Sequence, residues 1–167
     1  MAYFICPDCS GSFSARVYNV SQGQTGCGCV KHKTQTNVTK FLQEEYEKVE
    51  SEVCILGRKR MDILLRNQKT YVEVDGDQHF RDIKYWKSDW KTVHANDCQK
   101  IREALNQGRS VIRIYQPTAF SESTDWRTYI KEALELIERK GVPILVVPSI
   151  EQYSIFVDSF SRECYQL

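Results

Sequence analysis

Apolar and polar positions change period several times along the chain, and each change predicts an element. From Thr36 or Asn37, which suit a helix N-cap, apolar residues recur at Val38, Phe41, Leu42, Tyr46 and Val49 on one helical face. Met61-Asp-Ile-Leu-Leu65 and Thr70-Tyr-Val-Glu-Val-Asp75 read as strands, and the polar turn Arg66-Asn-Gln-Lys69 between them predicts a hairpin. Helical spacing returns from Asp89 to Gln107 through Trp90, Val93, Ile101, Ala104 and Leu105, with Asn106 and Gly108 as stop signals. Ser110-Val-Ile-Arg-Ile-Tyr115 follows as a buried strand, Trp126 to Lys140 as an amphipathic helix ending at Gly141, and Val142-Pro-Ile-Leu-Val-Val147 as a further strand. A hairpin followed by alternating helices and strands predicts an α/β fold, a mixed β-sheet flanked by helices. The last twenty residues, from Pro148, have no readable period, and there is no internal repeat or low-complexity tract.

The second strand of the hairpin ends in Glu73-Val-Asp-Gly-Asp-Gln-His-Phe80. Side chains alternate faces in an extended strand, so Tyr71, Glu73 and Asp75 share one face while Val72 and Val74 share the other. Two carboxylates on one face of an apolar strand are expensive unless a cation neutralises them, and oxygen ligands of this kind suit magnesium or manganese. Across the hairpin, Asp62 is expected to bring a third carboxylate to the same spot. Asp75-Gly76 by itself reads as an ordinary turn dipeptide; the whole set reads better as a site. His79, four residues past Asp75, becomes a candidate general base or water-positioning group. Asp97 lies four residues after Val93 and four before Ile101, on the inward stripe of its helix, where Lys100 offers an intrahelical ion pair. Glu45, seven positions after Val38, is either an acid at the edge of its apolar stripe or a further acid of the site.

Arg60-x-Asp62, the block ending in Phe80, Asn96-Asp97-x-x-Lys100 and Gly108-x-x-Val-Ile-Arg-Ile114 resemble, in that order, the signature of PD-(D/E)XK-fold nucleases. The branch they resemble is the very-short-patch-repair-like one, often called EDxHD, which includes phage and intron-associated homing endonucleases. The similarity covers about residues 33 to 116. It implies a restriction-endonuclease-like core that cleaves double-stranded DNA with Mg2+ or Mn2+. Asp62 and Asp75 would hold the metal with Glu73 assisting, His79 would act as base or transition-state donor, and Asp97 would orient it. Asp75 stands where the usual Glu-x-Lys has its lysine, which fits a histidine-using branch. Gln35 occupies the helix-entry position where relatives place their first Glu; an amide can bind a metal or orient water, but it brings no charge and cannot act as a base. That departure implies a weakened site, an acid relocated to Glu45 or Glu44, or an isosteric replacement that stops cleavage. The alternatives are a non-catalytic nucleic-acid-binding module like the RNA-associated RAP domains, which share an Asp-Gly-x-x-His-Phe segment, and a mismatch or junction repair nuclease.

Composition changes this picture in three places. A net charge of +1 on 167 residues gives no global basic field, so contact with DNA must come from local patches. Candidates are Arg58-Lys59-Arg60, Lys31-His32-Lys33, and the stretch from Arg81 containing Lys84, Trp86 and Lys87, followed by Trp90-Lys91. No apolar run has membrane-spanning length and Cys6 follows the N-terminus at once, which predicts no membrane partner and a cytosolic or nuclear setting. Seven cysteines in a reducing compartment argue for metal before disulfides. Cys6-Pro-Asp-Cys9 and Cys27-Gly-Cys29 predict a structural zinc module over residues 1–32, ahead of a nuclease-like domain over 33–167. Cys27 and Cys29 are favoured over His32, although Cys29-Val-Lys-His32 has the more regular ligand spacing. Cys54, Cys98 and Cys164 read as ordinary thiols. The resemblance adds that such a finger contacts or positions DNA. A 167-residue monomer offers one active site, so a double-strand break requires a homodimer, a higher assembly or two successive nicks.

Overall fold

The computed structural model describes residues 1–5, 12–21, 33–83, 89–120 and 125–167. The chain divides into two units, Met1–Asn37 and Val38–Leu167. In the first, β1 (Ala2–Ile5) and β2 (Ser12–Ala15) form an antiparallel pair in which Phe4 lies opposite Phe13 with their rings stacked at 5.6 Å. A short helix α1 (Val17–Ser21) follows. Cys6, Cys9, Cys27, Cys29 and His32, on which the zinc expectation rests, lie outside the described residues.

Helix α2 (Lys33–Glu45) begins three residues before the expected N-cap at Thr36, so residues 33–35 are already helical. It also ends sooner. Tyr46 N–H still donates to the Leu42 carbonyl, but Lys48 takes φ 55° and turns the chain, so Val49 opens a strand rather than closing the helical stripe.

One mixed sheet carries the second unit: β3 (Val49–Leu56), β4 (Lys59–Leu65), β5 (Thr70–Asp75), β6 (Ser110–Tyr115), β7 (Ile144–Val147) and β8 (Cys164–Gln166), side by side in that order. The pairs β3–β4 and β4–β5 are antiparallel, whereas β5 through β8 run parallel. Parallel neighbours need crossovers. These are α3 (Trp90–Asn106), then α4 (Gln116–Phe120) with α5 (Trp126–Lys140), then α6 (Ser154–Phe160). Capping sets the helix ends. Asp89 accepts from Thr92 N–H at 2.9 Å to start α3, and Gly141 at φ 65° closes α5 in the left-handed region that glycine tolerates.

The expected α/β class, a mixed sheet flanked by helices, is therefore observed. Strand β3 lacks an expectation because its alternation is obscured: it is an edge strand with mostly exposed or half-buried positions, and Glu52 within it adopts φ 55°. The unreadable C-terminal stretch contains α6 and β8.

Each face of the sheet has its own core. Val72 and Ile112 pack with Val38, Phe41 and Leu42 of α2 and with Trp126, Ile130 and Ala133 of α5. On the other face Tyr71 and Val111 pack with Ile101 and Ala104 of α3 and Phe156 and Phe160 of α6. Glu73 and Asp75, two and four residues after Tyr71, turn to the α3/α6 side. Among the described residues no helix is long and apolar enough to cross a membrane.

Candidate active site

The last paired residues of the β4–β5 hairpin at its open end are Ile63 and Val72. One position beyond, Asp62 and Glu73 replace the ladder with side-chain bonds. Asp62 N–H donates to Glu73 Oε1 at 2.8 Å and Val74 N–H donates to Asp62 Oδ2 at 2.8 Å. Burial pushes the Asp62 carboxyl up to about 7, and the neighbouring Glu73 charge adds to it. Burial also raises Glu73, while Lys100 and Arg113 pull it back down. Lys100 Nζ of α3 sits 2.5 Å from Glu73 Oε2 and 3.3 Å from Asp97 Oδ1. The intrahelical Lys100–Asp97 pair expected from spacing is present, and the lysine reaches the strand as well.

Asp75 is fully buried and fully engaged. Arg113, also fully buried, donates from Nε to Oδ2 at 2.8 Å and from Nη2 to Oδ1 at 2.6 Å; Tyr153 Oη donates to Oδ2 at 3.0 Å. Both oxygens of Asp75, an expected metal ligand, are thus held by donors of the protein itself. The cation that neutralises this face is Arg113, whose guanidinium lies 4.2 Å from the Phe156 ring centre. Arg113 was part of the motif that carried the resemblance but had no assigned role, and Tyr153 lay in the stretch without readable period.

Beyond Asp75 the chain makes a single 3-10 turn, Asp77–His79, that carries the imidazole back over α3. His79 Nδ1 lies 2.6 Å from Asp97 Oδ2, and Asp97 also receives Arg113 Nη2 at 3.0 Å. Burial disfavours the imidazolium, but Asp75 and Asp97 outweigh it, so the His79 pKa is raised overall. Burial likewise works against the Asp97 charge, yet Arg113, His79 and Lys100 hold its carboxyl well below the usual range. With Nδ1–H bonded to Asp97, the Nε2 lone pair is left for a proton, and the His79 side chain is 15% exposed.

The cluster therefore holds four carboxylates, Asp62, Glu73, Asp75 and Asp97, against Arg113, Lys100 and His79. Four negative charges against two permanent positive ones leave two, and protonating His79 and Asp62 removes both. Because the cations stand between the acids, no three His, Cys, Asp or Glu side chains among the described residues form a group disposed to hold a metal ion.

Other expected residues fall elsewhere. Gln35 lies in the first turn of α2, in the N-terminal unit. Glu45 does not join the acids: it pairs with Lys131 at 2.9 Å and lines a cavity of about 540 Å3 with Thr70 and Ser110, at the opposite ends of β5 and β6. Glu44 is exposed. Of the basic candidates, Arg58 occupies the β3–β4 turn, Lys59 Nζ donates to Gln99 Oε1, and Arg60 Nη1 donates to the Glu52 carbonyl at 2.6 Å. Lys84, Trp86 and Lys87 lie outside the described residues. Cys54, Cys98 and Cys164 are free thiols, as expected. No protein-family model matches the chain, and no curated protein matches it either.

These shifts set the pH dependence of the metal-free fold. Asp62 has an ordinary pKa of 3.8 and is raised to about 7 when folded, so between those values the folded state keeps a proton the unfolded state has lost. Its contribution falls as pH rises through that window. His79, raised above 6.5, stabilises below that value and loses its effect as pH rises through its folded pKa. Asp97, depressed below 3.8, contributes above that value and loses its effect as pH falls. Urea midpoints in the presence of chelator are expected to peak in weak acid and decline toward pH 8. A midpoint that rises from pH 5 to 8 contradicts this charge arrangement.

Proposed function

We propose that the second unit is a magnesium-dependent DNA endonuclease core of the PD-(D/E)XK type. The observation that carries the reading is the part-buried His79–Asp97 pair, 2.6 Å apart, beside the Asp62–Glu73 carboxylates. Magnesium is commonly held by one or two carboxylates, several waters and substrate phosphates. Asp62 fits that requirement: its carboxyl is raised by burial and only Oδ2 is committed, to Val74 N–H, whereas both oxygens of the adjacent Glu73 are already held, Oε1 by Asp62 N–H and Oε2 by Lys100, so Glu73 assists from beside the ion. When bound, magnesium supplies Lewis-acid polarisation of the scissile phosphate and offsets the charge that gathers on it.

The chain's own residues do the rest. His79 Nε2 accepts the proton of the attacking water as its oxygen bonds to phosphorus and the bond to the leaving oxygen breaks. Asp97 holds the ring at Nδ1 and stabilises the imidazolium that forms. Lys100, between Glu73 and Asp97, keeps the two acidic groups together. Double-stranded DNA is the proposed substrate, approached by local basic groups such as Arg58, with homing or phage-type site-specific cleavage favoured over mismatch or junction repair. The two cysteine pairs of the N-terminal unit are proposed to hold one structural zinc. Metal analysis should return one zinc per chain; a folded, zinc-free protein with Cys6 and Cys9 alkylated and DNA binding unchanged defeats that proposal.

The test is conversion of supercoiled plasmid in magnesium against a chelated control. His79→Ala is expected to slow it by about 10²–10⁴-fold, the usual contribution of a positioned general base. A second reading, a nucleic-acid-binding module of the same fold without catalysis, is favoured by Gln35, which brings no charge, and by the sequestered Asp75. Binding of plasmid without conversion at any magnesium concentration selects it.

A further inference from the structure

Tyr153 stands well past residue 116, where the nuclease-like motifs end, yet its hydroxyl enters the site. We propose that Tyr153 is a positioning residue: acting through Asp75 and Arg113, it determines which carboxylate holds the His79 imidazole. The proposal rests on the hydrolytic reading above for its catalytic consequence.

Two carboxylates compete for one imidazole N–H. Asp97 Oδ2 lies 2.6 Å from His79 Nδ1, and Asp75 Oδ1, four residues earlier in the chain, lies 3.7 Å from it. Asp75 is kept from closing that gap by three donated hydrogen bonds, two from Arg113 and one from Tyr153 Oη at 3.0 Å. Tyr153 is itself fixed. It is fully buried, and its ring meets Phe80 edge-on at 5.2 Å and Phe156 at 6.1 Å. Phe80 follows His79 in the chain, so one aromatic nest seats both the hydroxyl donor and the backbone of the turn that bears the imidazole.

The remaining groups around His79 are committed elsewhere or held in place. Lys100 is shared by Glu73 and Asp97, and Arg113 Nη2 spans Asp75, Asp97 and, at 3.5 Å, His79 Nδ1. Tyr115 Oη donates to Asp77 Oδ1 at 2.6 Å, and Arg81 pairs with Asp77 on the same turn. Without the Tyr153 hydroxyl, Asp75 Oδ2 keeps only Arg113 Nε, and the carboxylate loses the bond that fixes its rotation on the side away from Arg113 Nη2. Freed of that restraint, it can swing Oδ1 across the 3.7 Å that separates it from His79 Nδ1–H. The ring then leaves Asp97, and Nε2 is no longer aimed.

Tyr153→Phe keeps the aromatic nest and removes only the hydroxyl. In that variant kcat for plasmid cleavage is expected to fall about tenfold, the equivalent of one lost hydrogen bond in the transition state, with KM for DNA unchanged. The His79 Nδ1 proton, which a 2.6 Å bond to a carboxylate places far downfield in the NMR spectrum, should move upfield. An unmoved Nδ1 resonance overturns the proposal whatever happens to cleavage. A moved resonance with wild-type kcat overturns its catalytic part. If the wild-type protein does not cut DNA, the hydrolytic reading fails, and the resonance by itself decides for or against the hold on His79. If Tyr153→Phe does not fold, the unaltered protein decides: a slowly exchanging Tyr153 hydroxyl proton supports the contact with Asp75, and its absence overturns it.

Discussion

Asp62→Asn is expected to lower magnesium-dependent cleavage by about 10³-fold or more while leaving DNA affinity within a few fold. An amide of the same shape keeps the bond from Val74 N–H but cannot offer a charge to a divalent ion, and a loss of about 4 kcal/mol in the transition state corresponds to that factor. Affinity persists because removing a carboxylate lessens repulsion of phosphate. The same substitution should stabilise the metal-free fold at pH 8. The raised pKa means that folding opposes the Asp62 charge, and asparagine has none to oppose. Activity lost together with stability gained is the signature of a group retained for function. Single-turnover cleavage and urea unfolding on the same preparation read both, and a variant that cuts at the wild-type rate removes Asp62 from the proposed metal site.

Arg113→Met is expected to produce the largest loss of stability of any single change in this cluster. The guanidinium is fully buried and contacts Asp75 and Asp97 at 2.6 to 3.0 Å, so its removal leaves two carboxylates in the core without their main cation. Breaking a buried pair from one side costs about 3–5 kcal/mol, a large part of the roughly 5–15 kcal/mol that holds a domain folded. Thermal unfolding should move down by on the order of 10 °C. The defect should be milder near pH 5 than at pH 8, because carboxylates stripped of a cation titrate upward and protonation relieves them. A change below about 1 kcal/mol at pH 8 contradicts the role given to Arg113.

Much of the candidate site was legible, and the reason is periodicity. Alternation along Thr70–Asp75 placed Glu73 and Asp75 on one face, and helical spacing from Val93 to Ile101 turned Asp97 inward; Asp97 is 2% exposed and Glu73 is 2% exposed. Of what neutralises them, the Lys100–Asp97 pair was legible from helical spacing, but the partners of Asp75 were not. Arg113 sits in an apolar run whose pattern says only that it is buried, and Tyr153 belongs to a stretch of mixed composition. Arg113 of the parallel neighbour brings the positive charge that meets Asp75 and Asp97, and Tyr153 of a C-terminal turn adds a neutral donor to Asp75.

The sequence by itself determined the class of fold, the hairpin, the bounds of the helices around Ile101 and Ile130, and which acids turn inward. Each is a local consequence of side-chain period and end signals. Only the tertiary structure decided the division of labour among the acids. Asp75 is closed off by Arg113 and Tyr153, Asp97 is given to His79, and Asp62 with Glu73 is left at the open end of the hairpin. That division depends on groups 11 to 78 residues apart meeting within about 3 Å, and no periodicity encodes a distance across the sheet.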